Sequence, residues 1–220
     1  MRGSERALSR GILITFEGDD GVGKSTHARH LAEIIEASGR AVLCVREPGN
    51  TRIGEKLREV LLDPKNAEMA PACELLIYEA ARAQLMHEVL APALAAGAVV
   101  ICDRFTDSTV AYQGAGRGLD LDEVCALNRF ATDGLEPDLT ILLSLPDSQE
   151  KTRRIGQRGE LDRMERAGEQ FHDRVSRSFA ELPERSSHRV VEILAAQDED
   201  QTARAILEAV ITRFPELAVA

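Results

Sequence analysis

No run of about 18 apolar residues occurs in the chain, so no membrane-spanning helix is expected. Apolar stretches stay at strand length, and Ala98-Val99-Val100-Ile101-Cys102 is typical. Basic charge is in deficit: 27 Lys and Arg face 37 Asp and Glu, a formal net charge of -10. Nucleic acid and anionic membranes both demand a basic face, so neither partner is expected. Lysine is scarce. Lys24, Lys56, Lys65 and Lys151 are the only ones, so 27 - 4 = 23 basic residues are arginine. Arginine is thus the default cation, and only an arginine inside a motif is informative. The four cysteines, Cys44, Cys73, Cys102 and Cys125, form no C-x-x-C pair and share no zinc-like spacing with histidine. Cys44 and Cys102 lie in apolar runs and are expected to be buried free thiols. A reducing, cytoplasmic location fits them. Met1 to Arg10 is polar and lacks the apolar centre of a signal peptide. Residues 1–10 read as a flexible tail and 11–220 as one domain, with no internal repeat or low-complexity linker.

What is present is an alternation. β-rich runs cover Ile12–Glu17, Ala41–Arg46, Ala98–Asp103, Asp138–Leu145 and Arg189–Leu194. Helical patterns cover Ser25–Ser38, Gly54–Leu62, Ala72–Ala96, Asp122–Asp133, Ser148–Gln157, Glu165–Leu182 and Thr202–Phe214. Near-continuous apolar strands between helices predict an α/β fold: a five-stranded parallel sheet with helices on both faces. Ligands of such sheets bind at the carboxyl ends of the strands.

The first strand runs into Gly18-Asp19-Asp20-Gly21-Val22-Gly23-Lys24-Ser25, which is G-x-x-x-x-G-K-[ST] with a strand before and a helix after. Its glycines let backbone N–H groups wrap a phosphate, and the following helix adds its positive end. Lys24 is expected on the β- and γ-phosphates, with Ser25 on Mg²⁺. The candidate triphosphate ligands are Gly18, Asp19, Asp20, Gly21, Val22, Gly23, Lys24, Ser25 and Thr26. A GTP-hydrolysing switch would also carry a base-reading N-K-x-D, which this sequence lacks. The third strand ends in Asp103, followed by Arg104. An acid there can hold Mg²⁺ or its water, or orient the acceptor, and the guanidinium can grip a phosphate bidentately.

Several further runs join these in a fixed order: Arg46-Glu47-Pro48-Gly49, Glu74 to Arg82, Asp103 to Gly114, Pro137 to Thr140, and Arg158-Gly159-Glu160-Leu161-Asp162-Arg163-Met164-Glu165. Together with the phosphate loop and its Asp20, they resemble the thymidylate kinase family from about Ile12 to Phe179. The resemblance implies a P-loop kinase that transfers the γ-phosphoryl of Mg²⁺-ATP to dTMP. It places Tyr78 against the base, Arg82 on a base carbonyl and Thr109 near the base edge. It puts Tyr112 and Gln113 near the sugar, Asp20 facing the 3′-hydroxyl, and Arg46 and Arg104 on the acceptor phosphate. Pro48 would follow a cis peptide. Taken alone, Tyr78 also reads as a core aromatic on an apolar helix face. Tyr78 stands where the family more often has Phe, and Asn50 where it commonly has Gly. Homodimers are usual in the family, and the Ala72–Ala96 and Asp122–Asp133 helices offer a surface.

The phosphate loop contains no arginine, yet the transferring phosphoryl needs a cation. The resemblance implies that a mobile flap, about residues 153–165, supplies it. Arg158 is the first candidate for catalysis beside Lys24, Asp103 and Arg104. Arg153 and Arg154 are expected near ATP, and Arg163 also falls in the flap. A P-loop kinase of another deoxynucleotide or nucleoside is the competing enzyme reading, and a nucleotide-binding switch comes from another class.

Overall fold

A computed structural model of the chain describes residues 10–145, 162–195 and 198–218. Five strands form one sheet: β1 (Ile12–Glu17), β2 (Val42–Arg46), β3 (Val99–Asp103), β4 (Leu139–Ser144) and β5 (Val190–Leu194). Their order is β2-β3-β1-β4-β5, and every pairing is parallel. The expected sheet is there, and strand ends differ by a residue at most. The helices are α1 (Lys24–Ala37), α2 (Arg52–Leu62), α3 (Pro71–Leu85), α4 (Ala91–Ala95), α5 (Thr106–Thr109), α6 (Leu121–Ala131), α7 (Glu169–Ala180), α8 (Leu182–Arg185) and α9 (Glu199–Arg213).

The period-2 alternation of a strand sorts β1 between two cores. Ile14 and Phe16 pack with Ala28, Leu31 and Ile35 of α1 and Ile206 and Val210 of α9. Leu13 faces the other way, with Val100, Cys102, Leu85, Leu90 and Phe105. Beyond β4 on that second face, Leu142 and Val190 pack with Tyr112 and with Phe171, Val175 and Phe179 of α7. Thr15 and Glu17 share the Leu13 face by the same alternation. Thr15 bonds its register partner, Thr140, hydroxyl to hydroxyl at 2.8 Å.

Helix boundaries depart from expectation for local reasons. α2 starts at Arg52 rather than Gly54 because the Thr51 hydroxyl accepts the Gly54 N–H at 2.8 Å and caps it. The Ala72–Ala96 helix is broken by a π-helical turn over Met86–Leu90. Pro92, at the start of α4, has no N–H to give to the turn before it, and the wider turn absorbs the missing bond. α7 begins only at Glu169, after Gly168 in the left-handed region. Thr106 to Gly116, covered by none of the expected strands or helices, is helical: α5 runs into a π turn at Val110–Gly116. The Ser148–Gln157 helix and Arg153, Arg154 and Arg158 of the flap lie outside the described residues.

Cys102 is fully buried, but Cys44 is exposed, contrary to expectation. β2 is the outermost strand, and Cys44 lies on its Val42 face beyond the cover of the helix layer. Among the described residues no helix is long and apolar enough to cross a membrane.

Candidate active site

The phosphate loop leaves β1 at Gly18, whose φ is +125°. A Cβ there would meet the Leu143 carbonyl at 2.2 Å, so only glycine fits. Gly21 and Gly23 also have positive φ, and Gly23 caps α1 with no side-chain bond of its own. The first amides of α1 are therefore open toward a phosphate. Lys24 is almost fully buried, and its Nζ donates to the carbonyls of Gly18 at 3.0 Å and Asp19 at 2.6 Å. Burial, aided by the Arg104 charge, pushes this ammonium down to about 8. Ser25 donates its hydroxyl to Asp103 Oδ2 at the end of β3. The other oxygen, Asp103 Oδ1, is buried and has no hydrogen-bond partner among the described residues. From α7, the Ser176 hydroxyl reaches both Asp19 carboxylate oxygens, at 3.0 and 2.8 Å.

Across the cleft, Arg104 holds a left-handed backbone, φ 69°, unusual for a long side chain. Its NH1 donates to the Gly18 carbonyl at 3.1 Å and the Ser108 hydroxyl at 3.0 Å. NH2 pairs with the Asp20 carboxylate and donates to the Tyr112 hydroxyl at 3.1 Å. That hydroxyl donates in turn to Asp20 Oδ2 at 2.8 Å. Burial opposes ionisation of Asp20, but the Arg104 and Lys24 charges prevail and hold the carboxyl well below its usual range. The cleft, about 220 Å³, is lined on one side by Lys24, Ser25 and Asp103 and on the other by Tyr78, Arg82, Arg104, Thr109, Tyr112 and Gln113. It combines a triphosphate cradle with a cationic wall and an aromatic face.

Comparison with known proteins agrees with that geometry. The family model described as thymidylate kinase matches residues 16–206. A thymidylate kinase of Exiguobacterium is 44% identical over 206 residues, 94% of this chain and 97% of the relative. One from Pseudomonas fluorescens is 49% identical over 187 residues, 85% and 89% of the two chains. The crystal structure of thymidylate kinase from Ehrlichia chaffeensis superposes with a TM-score of 0.74 at 30% identity, covering 91% of this chain and 98% of that one. The chain belongs to the thymidylate kinase family. Members of that family are ATP-using kinases that generally need a divalent metal.

With the chain placed among the thymidylate kinases, the expected residues can be located one by one. Asp20, Arg46, Pro48, Tyr78, Arg82, Arg104, Thr109, Tyr112 and Gln113 all line the one cleft, and the Glu47–Pro48 peptide is cis. Val22 is different: its side chain is buried in the α1-side core, so only its backbone is available to a phosphate. Arg82 is only 2% exposed and fully engaged. Its Nε donates to Glu47 at 2.8 Å, its NH1 to Glu79 and Asn128 at 2.7 Å each, and its NH2 to the Phe105 carbonyl at 3.2 Å. Arg46 pairs with Glu55 at 3.1 Å. Asn50 takes the left-handed conformation expected of the glycine it replaces, and its Oδ1 accepts the Arg46 N–H at 2.6 Å.

Other functional groups escaped the sequence reading. Arg58 of α2 lines the cleft beside Arg46, and both donate to the Pro48 carbonyl, at 3.0 and 3.1 Å. Glu74, fully buried on α3, gathers Gln113 at 2.9 Å, Arg117 at 2.9 and 3.0 Å, and Arg163 at 2.6 Å. Arg163 is thus buried and held in place, its Nε also donating to the Leu61 carbonyl at 2.6 Å. Its place in the family-like run was visible, but nothing in the sequence marked Glu74 as its partner.

Proposed function

We propose that this chain transfers the γ-phosphoryl of ATP to dTMP, giving dTDP and ADP, directly and with no covalent enzyme intermediate. The observation that carries this reading is Arg104. One guanidinium bonds the Gly18 carbonyl and the Asp20 carboxylate of the phosphate loop and the Tyr112 hydroxyl of the opposite wall. Donor and acceptor subsites so close together suit in-line transfer by positioning and charge stabilisation.

The roles follow from chemistry. Lys24 and the loop amides bind the β- and γ-phosphates. Arg104 and Arg46 hold the acceptor phosphate, and Asp20 accepts from the 3′-hydroxyl. Tyr78 offers its ring to the thymine. Arg82 lines the base side of the cleft and reaches a base carbonyl by exchanging one of its bonds to Glu47, Glu79, Asn128 or Phe105, with Thr109 at the base edge and Tyr112 and Gln113 by the sugar. Ser25 and Asp103 are a hydroxyl and carboxylate pair that fits Mg²⁺, and the unpartnered Asp103 Oδ1 supports that assignment. Bound there, the ion would neutralise charge on the triphosphate. Arg158, with Arg153 and Arg154, supplies the cation that the phosphoryl in flight needs. Arg158→Ala should then lower kcat far more than it raises the KM for dTMP.

The working form is a homodimer through α3 and α6, which carry the exposed Leu76 and Phe130 (55% and 86%). The enzyme works in the cytoplasm, which suits four unpaired cysteines. A coupled assay of ADP release across a panel of monophosphates tests the assignment. dTMP should be the best acceptor and dUMP weaker, for want of the methyl. Equal turnover of AMP or CMP would overturn it.

A further inference from the structure

Glu17 is the last residue of β1, fully buried, and not part of the cleft wall. Its Oε1 accepts the Phe105 N–H at 2.7 Å and the Ser108 N–H at 3.3 Å. Its Oε2 accepts the Ser108 hydroxyl at 2.6 Å. These amides open α5, whose own cap residue, Phe105, has no side chain to offer them. A strand carboxylate therefore does the work of a helix cap for a segment 88 positions away.

Arg104 stands immediately before that turn. Its left-handed backbone is costly for a long side chain and persists only where neighbours over-determine it. The Arg104 N–H donates to the Phe16 carbonyl at 2.9 Å, and Glu17 fixes the residues that follow. The Ser108 hydroxyl joins the two side chains: it donates to Glu17 and accepts from Arg104 NH1 at 3.0 Å. Asp107 secures the same turn from below, through a two-pronged pair with Arg189 at 2.8 Å on each prong.

We propose that Glu17 is a positioning residue for phosphoryl transfer, holding the Arg104 guanidinium toward the cleft through Phe105 and Ser108 and so setting acceptor affinity without touching the acceptor. This rests on the reading of Arg104 as an acceptor-phosphate ligand. The charged groups around Glu17 are Asp107, Arg104, Arg189 and Lys24. Burial, with the nearby Asp107 charge, pushes Glu17 up to about 8, so at neutral pH it serves the turn as an oxygen acceptor more than as a counter-charge.

Steady-state kinetics with each substrate varied in turn test the idea. Glu17→Met removes both oxygens, and the KM for dTMP should rise about tenfold or more, the scale of one lost hydrogen bond near a charged group. The KM for ATP should stay at its wild-type value. Glu17→Gln keeps an oxygen for the two amides and should restore the KM for dTMP. Ser108→Ala removes only the hydroxyl bridge. It should raise the same KM by a smaller factor, and it serves if Glu17→Met does not fold. Arg104→Lys should weaken dTMP on its own, and adding Glu17→Met to it should cost little more, because both changes break one path. An additive double variant, or equal loss toward both substrates, makes Glu17 a general structural residue and overturns the proposal. If Arg104→Lys acts while neither Glu17→Met nor Ser108→Ala does, the proposal fails and the reading of Arg104 stands. If Arg104→Lys leaves dTMP untouched, that reading fails and the proposal falls with it.

Discussion

In the phosphate cradle every bond of Lys24 is short in sequence: Nζ reaches Gly18 and Asp19 across six and five positions. On the wall across the cleft, and just behind it, the spans are of another order. Arg104 meets Asp20 across 84 positions and Arg82 meets Glu47 across 35, while behind the wall Arg163 meets Glu74 across 89. The turn of the cradle is backbone shape, which a few glycines can encode, while Ser25–Asp103 and Asp19–Ser176 tie it down across 78 and 157 positions. The wall is made of buried charges, each held by partners from other elements. Backbone shape tolerates the loss of a neighbour, whereas a buried charge does not.

The sharpest way to break the comparison is Arg82→Ala. It leaves Glu47 and Glu79 buried without their cation, and a loss of about 3–5 kcal/mol is expected. Urea denaturation measures it. Unchanged stability with a raised KM for dTMP would show that Arg82 is a ligand contact only. Lys24→Ala comes next. It should cut kcat by about a hundredfold, the scale of one preorganised charge at a transition state, while the melting curve stays close to wild type. A normal kcat would remove Lys24 from the transferring phosphoryl. Tyr112→Phe should be milder: losing the hydroxyl shared by Asp20 and Arg104 should raise the KM for dTMP about fivefold and spare that for ATP. Equal effects on both substrates would mean that the two sides are not separable there.

The last effect is one of pH. Glu17 is pushed from an ordinary 4.5 up to about 8, by burial first and Asp107 second. Between those values the unfolded chain gives up a proton that the folded chain keeps, so stability falls as pH rises through this window. Glu47, pushed up to about 7 by burial, acts with the same sign. Asp20 has the opposite sign, and its contribution is lost only in acid, below its ordinary 3.8. Denaturation of wild type and Glu17→Gln at about pH 5.5 and about pH 8.5 should show a shallower fall in the variant. Parallel lines would mean that Glu17 does not titrate there.

The same contrast decides what was legible in the sequence. Gly18 to Ser25 declares itself because shape, helix start and charge lie in one short run, and the strands declare themselves by apolar content. The helical stretch Thr106 to Gly116 did not, since it has no apolar period of its own and rests on Glu17, Arg189 and Phe171 for support. Glu17 looked like the end of a strand, and Glu74 like an ordinary acid in a first helical turn. Arg163 stood in a recognisable run, but its burial could be known only once α2 and α3 were packed against it. Cys44 misled because an apolar run does not say that its strand lies at the edge of a sheet.

The place of β1 in the middle of the sheet has a consequence for synthesis. Its first neighbour, at Val99, comes 99 - 12 = 87 positions after Ile12, and its second, at Leu139, comes 139 - 14 = 125 positions after Ile14. At ordinary elongation rates of roughly 5–20 residues per second, the second interval lasts roughly 6–25 seconds. Until β3 is made, Ile12, Leu13, Ile14 and Phe16 have both strand edges unpaired, and until β4 is made they have one, the condition in which nascent chains associate wrongly. Gly18 waits as long, 143 - 18 = 125 positions, for the Leu143 carbonyl it will pack against. A nascent chain halted before residue 139 therefore carries the whole phosphate-binding sequence and no phosphate-binding site.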